Sequence, residues 1–160
     1  MGPIHDAAKL ADVAALRRVL ESGVSPDAIE GHPYQRTPLH LLCRSRRVWM
    51  IGDRAACLKL LIDAGANLEA TDALSKTPLH EAAANGYPEL LSLLIQSGAN
   101  VNATNINGYT PLHEATSIPL APGYAGSAVD CVDLLLKAGA AVNVEEINRW
   151  TPLDIAINRR

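Results

Sequence analysis

A short motif recurs along the chain at nearly regular intervals. It reads Thr-Pro-Leu-His from Thr37, Thr77 and Thr110 and Thr-Pro-Leu-Asp from Thr151, with a weaker copy, Gly-Pro-Ile-His, from Gly2. A Gly-Ala or Gly-Val pair follows each of the first four copies, and the shortest interval, from Thr77 to Thr110, is 33 residues. A period of this length predicts one supersecondary unit per repeat, stacked so that each unit buries its apolar face against the next.

Each unit is predicted to hold two helices and an extended loop. Threonine at the N-cap followed by proline at the first helical position is a strong start signal for the first helix. Segment 90–95 spreads apolar side chains over one broad helical face, and Gly98 stands just past it as a stop signal for the second helix. Asn107 and Gly108 form a hairpin-turn pair, which predicts the tip of the loop. The chain is therefore predicted to be all-α, with β-hairpin-like loops joining its helix-turn-helix units.

At these residues the chain resembles the ankyrin repeat family, whose 33-residue period and Thr-Pro-Leu-His signature it shares. The resemblance extends over nearly the whole sequence and implies a single domain, residues 1–160, folded as an ankyrin-repeat α-solenoid. The repeats are expected at about 1–33, 34–73, 74–106 and 107–147, with a half repeat at 148–160. The second and fourth repeats are longer than the others, so insertions are expected near 44–53 and 118–127, between the first and second helix of each.

The two ends of the repeat array differ from its middle. Arg18 occupies the column that holds Leu60, Leu93 and Leu134 in later repeats, so the first repeat is polar where the others are apolar. A polar outer face is what an N-terminal capping repeat requires. The fifth repeat stops at Arg160, after its first helix. Either a half repeat closes the stack or the native chain continues, and the sequence leaves both alternatives open.

Composition excludes several classes of protein. No apolar run approaches about 18 residues, so no membrane span is expected, and residues 1–6 lack the apolar stretch of a signal peptide. Three cysteines do not make a disulfide framework, and a formal net charge of −3 gives no electrostatic drive towards nucleic acid or anionic lipid. A soluble intracellular protein is expected, placed in the cytoplasm with the nucleus as the alternative.

Four histidines, His5, His40, His80 and His113, occupy one column of the repeat. Adjacent repeats stack at about 8–10 Å, whereas the ligands of one zinc ion lie within ~4 Å of each other. These histidines therefore predict no metal site. By analogy with the family they are expected to bond the backbone at the helix start and the neighbouring threonine hydroxyl.

Two glutamates and the cysteines are the remaining candidates for chemistry. Glu81 and Glu114 share a column in adjacent repeats, at a spacing near the upper end for a paired-carboxylate hydrolase. No nucleophile, phosphate loop or metal set accompanies them, so we expect solvated charges, no catalytic activity and no cofactor. Cys57 and Cys131 stand two repeats apart, roughly 20 Å, which is too far for a disulfide. They are predicted to fill the core.

The family resemblance implies binding of a protein or peptide, rather than a small molecule, on a concave surface formed by the loops and first helices. The column before each motif threonine and the adjoining loop tips supply the candidate contacts: Tyr34, Arg36, Leu74, Lys76, Ile106, Tyr109, Ile147 and Trp150. Exposed aromatic and aliphatic groups of this kind are typical interface anchors. Residues 1–80 carry a formal charge of +1 and residues 81–160 one of −4, so a partner of complementary polarity would bind in one direction. The alternative for Trp150 is that it merely covers the bare end of the stack.

The insertion near 44–53 is rich in arginine. Residues 36–54 hold five arginines against one aspartate, a local charge of +4, and the candidate contacts within the insertion are Arg46, Arg47 and Trp49. Such a loop could dock an acidic partner or a phosphate, although the chain lacks the broad basic face that nucleic-acid binding requires. The insertion near 118–127 is uncharged. A neutral role is an equal alternative for both, since loop insertions cost little stability.

These features predict a monomeric, non-enzymatic module for protein–protein interaction. Two alternatives stay open. One is an ankyrin segment of a larger adaptor or bacterial effector whose activity lies outside these residues; the other is an engineered binding scaffold, against which the irregular insertions argue. The resemblance also places Asn102 and Asn143 at the loop asparagine that asparaginyl hydroxylases modify in some family members.

Overall fold

The structure, a computed structural model, describes residues 2–44, 53–118 and 125–158, without the side chains of residues 125 and 126. Within these ranges the chain forms α-helices and no strand. The helices are α1 (Pro3–Leu10), α2 (Val13–Glu21), α3 (Pro38–Arg44), α4 (Arg54–Asp63), α5 (Pro78–Asn85), α6 (Pro88–Gln96), α7 (Pro111–Thr116), α8 (Ala125–Lys137) and α9 (Pro152–Ile157). None of these helices is long and apolar enough to cross a bilayer.

The helices stack in two layers. The first helices of the repeats, α1, α3, α5, α7 and α9, contact one another in chain order, and the second helices, α2, α4, α6 and α8, do the same beside them. Within the first four repeats each first helix packs on the second helix that follows it. This arrangement confirms the predicted all-α repeat solenoid, in which each repeat touches mainly its neighbours.

The helix boundaries follow from capping residues. Thr77 and Thr110 take extended backbone conformations before α5 and α7, and proline holds the first position of each helix. Two second helices begin differently, with an aspartate cap: Asp12 and Asp53 each accept a hydrogen bond, 2.9 Å long, from a backbone N–H in the first turn. Gly86 ends α5 at φ +67°, in the left-handed region.

The core is built from leucine and small side chains. The motif leucines Leu39, Leu79 and Leu112 are at most 3% exposed because the next repeat covers them, whereas Leu153, in the same column of the last described helix, is 65% exposed. Cys43, Cys57 and Cys131 are buried and free of disulfides, and the burial of Cys57 and Cys131 agrees with the prediction. Burial raises the pKa of Cys57 to about 11 and that of Cys131 to about 12, so these thiols are inert core groups.

The two insertions lie largely outside the described residues. Segments 45–52 and 119–124 are not described, so the predictions for Arg46, Arg47 and Trp49 fall outside the structure's described ranges. The second insertion was expected to span 118–127, but α8 already begins at Ala125. At 13 residues α8 is longer than α6, which has nine, so part of this insertion lengthens a helix instead of a loop.

Candidate partner-binding surface

Three loop tips, residues 72–76, 105–109 and 146–150, precede the first helices α5, α7 and α9. In the first of them the buried Asp72 accepts hydrogen bonds through Oδ1 from the N–H groups of Leu74, at 2.8 Å, and Lys76, at 3.0 Å. The buried Asn105 and Glu146 make the same pair of bonds in the other two tips. One buried acceptor therefore fixes the backbone of each tip.

Backbone hydrogen bonds also join each tip to the tip before it. The N–H groups of three successive tips donate to carbonyls of the preceding loop: Ala73 to Tyr34 at 3.0 Å, Ile106 to Leu74 at 3.1 Å and Ile147 to Asn107 at 2.9 Å. The approach is close at Gly108, where φ is +80° and an added Cβ would lie 3.2 Å from the Cα of Glu146. The loops thus form one continuous ladder along the edge of the stack.

Four large apolar side chains stand along this ladder, one from each successive loop. Together they are called the tip row here: Tyr34, Leu74, Ile106 and Ile147. Each is between 50% and 71% exposed. The structure therefore presents these four predicted contact residues to solvent, in order, on backbone that is hydrogen-bonded from loop to loop.

The residues immediately before the motif threonines differ in their exposure to solvent. Trp150 is 45% exposed, and Tyr109 is half-buried with its ring centroid 5.3 Å from that of His113. Arg36 was expected to present a basic group, but it is only 7% exposed. Its guanidinium lies 4.2 Å from the ring centre of Tyr34, so the aromatic ring covers it and the charge is not offered to a partner.

Carboxylates form ion pairs with two cations of this surface. Arg36 Nη1 lies 3.5 Å from Glu30 Oε1, and its Nε lies 3.8 Å from Asp72 Oδ2, an ion pair without a hydrogen bond. Lys76, whose side chain is 21% exposed, reaches Glu114 Oε1 at 2.7 Å. The charges of Arg36 and Lys76, two of the candidate contacts, are therefore neutralised inside the protein.

The two glutamates considered for catalysis are not solvated, contrary to expectation. Glu81 is 3% exposed and Glu114 is 9% exposed. Each lies at a repeat junction where a cation of the preceding repeat covers it: Arg44 Nη1 is 3.4 Å from Glu81, and Lys76 pairs with Glu114. A carboxylate held by its own cation stabilises the stack and is poorly placed to act as a general acid or base.

Histidines join consecutive repeats beneath the same surface. In His40, His80 and His113, Nδ1 accepts from the N–H of the motif threonine at 3.0–3.2 Å and lies 2.8–2.9 Å from its Oγ1, which confirms the predicted role. Nε2 makes a contact that sequence reasoning missed, with a backbone carbonyl of the next repeat at 2.8, 2.9 and 3.2 Å respectively. A neutral imidazole protonated at Nε2 satisfies all of these partners. The three carbonyls belong to Lys76, Tyr109 and Trp150, so the histidines position the column that carries the candidate contacts.

Acid is expected to destabilise the fold through these histidines. Desolvation is the main cause that lowers the pKa of His40, His80 and His113 from the ordinary 6.5. Their contribution to the free energy of unfolding is fully present above about pH 6.5 and decreases as the pH falls below that value. The reason is that, below this pH, the histidines are protonated in the unfolded chain but stay neutral in the folded chain. The slope approaches ~1.4 kcal/mol per pH unit for each histidine that stays neutral in the fold.

Urea denaturation between about pH 8 and pH 5 measures this effect. Asp154 replaces the histidine in the fifth copy, and hydrogen bonds from Thr151 lower its pKa from 3.8, so its own contribution fades only below that value. The pH range in which the histidines change the stability therefore lies above the range in which Asp154 does. A free energy of unfolding that stays constant from about pH 7.5 to 5.5 contradicts the histidine account.

The loop asparagine Asn102 also joins two repeats. Its Oδ1 accepts a hydrogen bond from the N–H of Ala141 at 2.8 Å. Asn143, at the corresponding place one repeat later, is exposed. Hydroxylation of either side chain stays a prediction.

Comparison with known families gives two matches. A family model described as ankyrin repeats, in three copies, matches residues 48–118. A second model, described as an ankyrin repeat, matches residues 107–147. Together they cover residues 48–147, more than half of the chain. No curated protein matches it.

Proposed function

The chain belongs to the ankyrin repeat family, and from that premise we propose that it is a non-enzymatic module that binds a protein or peptide through the tip row, Tyr109 and Trp150. Members of this family generally act as protein–protein interaction modules. The observation that carries the proposal is the tip row, four large apolar side chains from successive loops that are each at least half exposed. Apolar groups exposed singly are ordinary, whereas an aligned set on one edge is typical of an interaction site.

Rigid display of these side chains supports the proposal. The tips are fixed by buried acceptors and by bonds between loops, so little conformational entropy remains to be lost when a partner binds. Tyr109 and Trp150 are the last residues of two of the tips, and tryptophan and tyrosine are enriched at binding hot spots. The internal pairing of Glu81 and Glu114 removes the main argument for a hydrolase.

Affinity capture from cell lysate with variant proteins tests this function. The double variant Tyr109→Ala/Trp150→Ala is expected to lose most of a captured partner, because two hot-spot truncations together weaken binding by roughly 30-fold or more. A variant with insertion 44–53 shortened is expected to retain that partner. Leu153→Ala, which truncates an exposed leucine of α9 outside the three tips, is the control.

Each outcome of the capture experiment has one interpretation. If the double variant alone loses the partner while circular dichroism shows that all variants fold, the surface named above binds it. If only the shortened insertion loses the partner, the arginine-rich segment is the binding surface and the proposal is wrong. Equal capture by every variant also overturns it.

A further inference from the structure

We infer that the partner segment which binds the tip row is an amphipathic α-helix whose contacting face is apolar and uncharged. This inference rests on the proposed function and names the class of partner for the same surface. Three observations carry it: the state of the backbone donors, the pairing of the nearby charges and the spacing of the tips.

The backbone donors of the tips are already used. Every N–H of residues 73–76, 106–109 and 147–150 donates a hydrogen bond within the protein, either to the buried acceptor of its tip, to its own turn or to the preceding loop. An extended peptide that adds itself to a sheet edge needs such donors. A helix satisfies its own backbone and requires only side-chain contact. The tips therefore favour a helical partner over an extended one.

The charges around the tip row are also already paired. Arg36 is covered and held by two carboxylates, Lys76 is bonded to Glu114, and the exposed Arg149 lies 3.2 Å from Glu145. Among the described residues, the cations beside the tip row already have carboxylate partners, and the pair of Arg149 and Glu145 is solvated. Burying a charged partner residue against the four apolar side chains would therefore desolvate that charge without a buried counter-ion to replace the water. The complementary surface is therefore uncharged.

The distance between adjacent repeats determines which positions of the partner helix can contact the tip row. Adjacent repeats stack at about 10 Å, and two turns of an α-helix, seven residues, rise about 10.5 Å. Tyr34 and Leu74 share one column of the repeat, and Ile106 and Ile147 share the column beside it, so one repeat separates the members of each pair. Between the pairs the step is shorter, because the Ile106 N–H lies 3.1 Å from the Leu74 carbonyl and keeps these two Cα atoms within about 7 Å. Apolar residues at positions i, i+7, i+11 and i+18, which lie on one face of a helix, therefore meet the four members, and about 20 residues reach all of them. An extended chain covers the distance of one repeat in about three residues. Because successive side chains of an extended chain point to opposite faces, residues three apart cannot both contact the tip row.

Two peptide display libraries test the inference. One presents helical peptides of about 22 residues, with an alanine, glutamine, glutamate and lysine background and random residues at positions i, i+7, i+11 and i+18. The other has the same length and the same random positions, with proline placed to prevent helix formation. Both are selected on the wild-type protein and counter-selected on Leu74→Asp/Ile106→Asp, which changes two exposed side chains of the tip row.

The expected result is enrichment of helical peptides with apolar residues at the random positions. Their dissociation constants should change less than about threefold between about 0.05 and about 0.5 M NaCl, and Leu153→Asp should bind them as the wild type does. Enrichment of proline-containing or acidic peptides that depend on the tip row overturns the inference but leaves the proposed function standing, as does weakening of more than about tenfold by salt. If no peptide depends on the tip row, both fail.

Discussion

Replacing Leu79 by alanine is expected to lower the free energy of unfolding by about 3–5 kcal/mol. Leu79 is fully buried between α5 and the next repeat, so truncation removes its transfer free energy and leaves a cavity in a close-packed core. Equilibrium urea denaturation of the wild type and variant measures the loss. Because every internal repeat buries this leucine, the effect reports on the stacking interface itself.

Leu153→Ala is the matched control for this prediction. It makes the same substitution at the same motif position, but Leu153 is 65% exposed in the last described helix. We expect a change below about 0.5 kcal/mol, as for ordinary surface positions. Equal losses in the two variants would mean that burial by the following repeat does not determine the cost.

Replacing His80 by alanine is expected to lower the free energy of unfolding by about 3–4 kcal/mol. The substitution removes the acceptor of the Thr77 N–H and the Nε2 contact with the carbonyl of Tyr109, and His80, which makes both, is fully buried. Each buried polar group left without a partner costs about 1–3 kcal/mol. Urea denaturation at about pH 8, where the histidines are neutral, measures the loss without interference from titration.

His80→Asn separates the two hydrogen bonds of this histidine. The fifth repeat shows that a shorter acceptor can serve the threonine, because Asp154 Oδ2 lies 2.8 Å from Thr151 N and 2.7 Å from its Oγ1. Asparagine is too short to reach the carbonyl of the next repeat as well. The asparagine variant should therefore be intermediate in stability, and a variant as stable as the wild type would show that the bond between repeats contributes nothing.

Most of the fold could be predicted because its signals are local. The threonine–proline pair marks the starts of α5, α7 and α9, and its recurrence gives the stacking order. The turn at Asn107 and Gly108 was likewise read from two neighbouring residues, and the structure closes the loop there with φ of +80° at Gly108. Local patterns of this kind need no knowledge of which side chains meet across repeats.

The candidate site was predicted less completely because its decisive contacts cross repeat boundaries. The second partner of each histidine is a backbone carbonyl 29–37 residues away. Every residue type has such a carbonyl, so the sequence does not indicate which one the histidine contacts. The burial of Arg36 and Glu114 depends on partners in another column of the repeat. For one of these ion pairs the sequence did contain a signal. Lys76 stands immediately before one motif threonine, and Glu114 is four residues after the next motif threonine, so an alignment of the two repeats indicates that the opposite charges are neighbours.

Isothermal titration of a captured partner into tip-row variants tests the central claim most directly. Leu74→Asp/Ile106→Asp places two charges in the exposed apolar row, and Leu153→Asp places one on an exposed leucine of α9 that is not a member of the row. The account predicts that the double variant binds at least about 30-fold more weakly, as expected for loss of hot-spot contacts, while Leu153→Asp stays within about twofold of the wild type. Wild-type affinity in the double variant, or equal weakening in Leu153→Asp, would contradict the claim that this row of side chains is the binding surface.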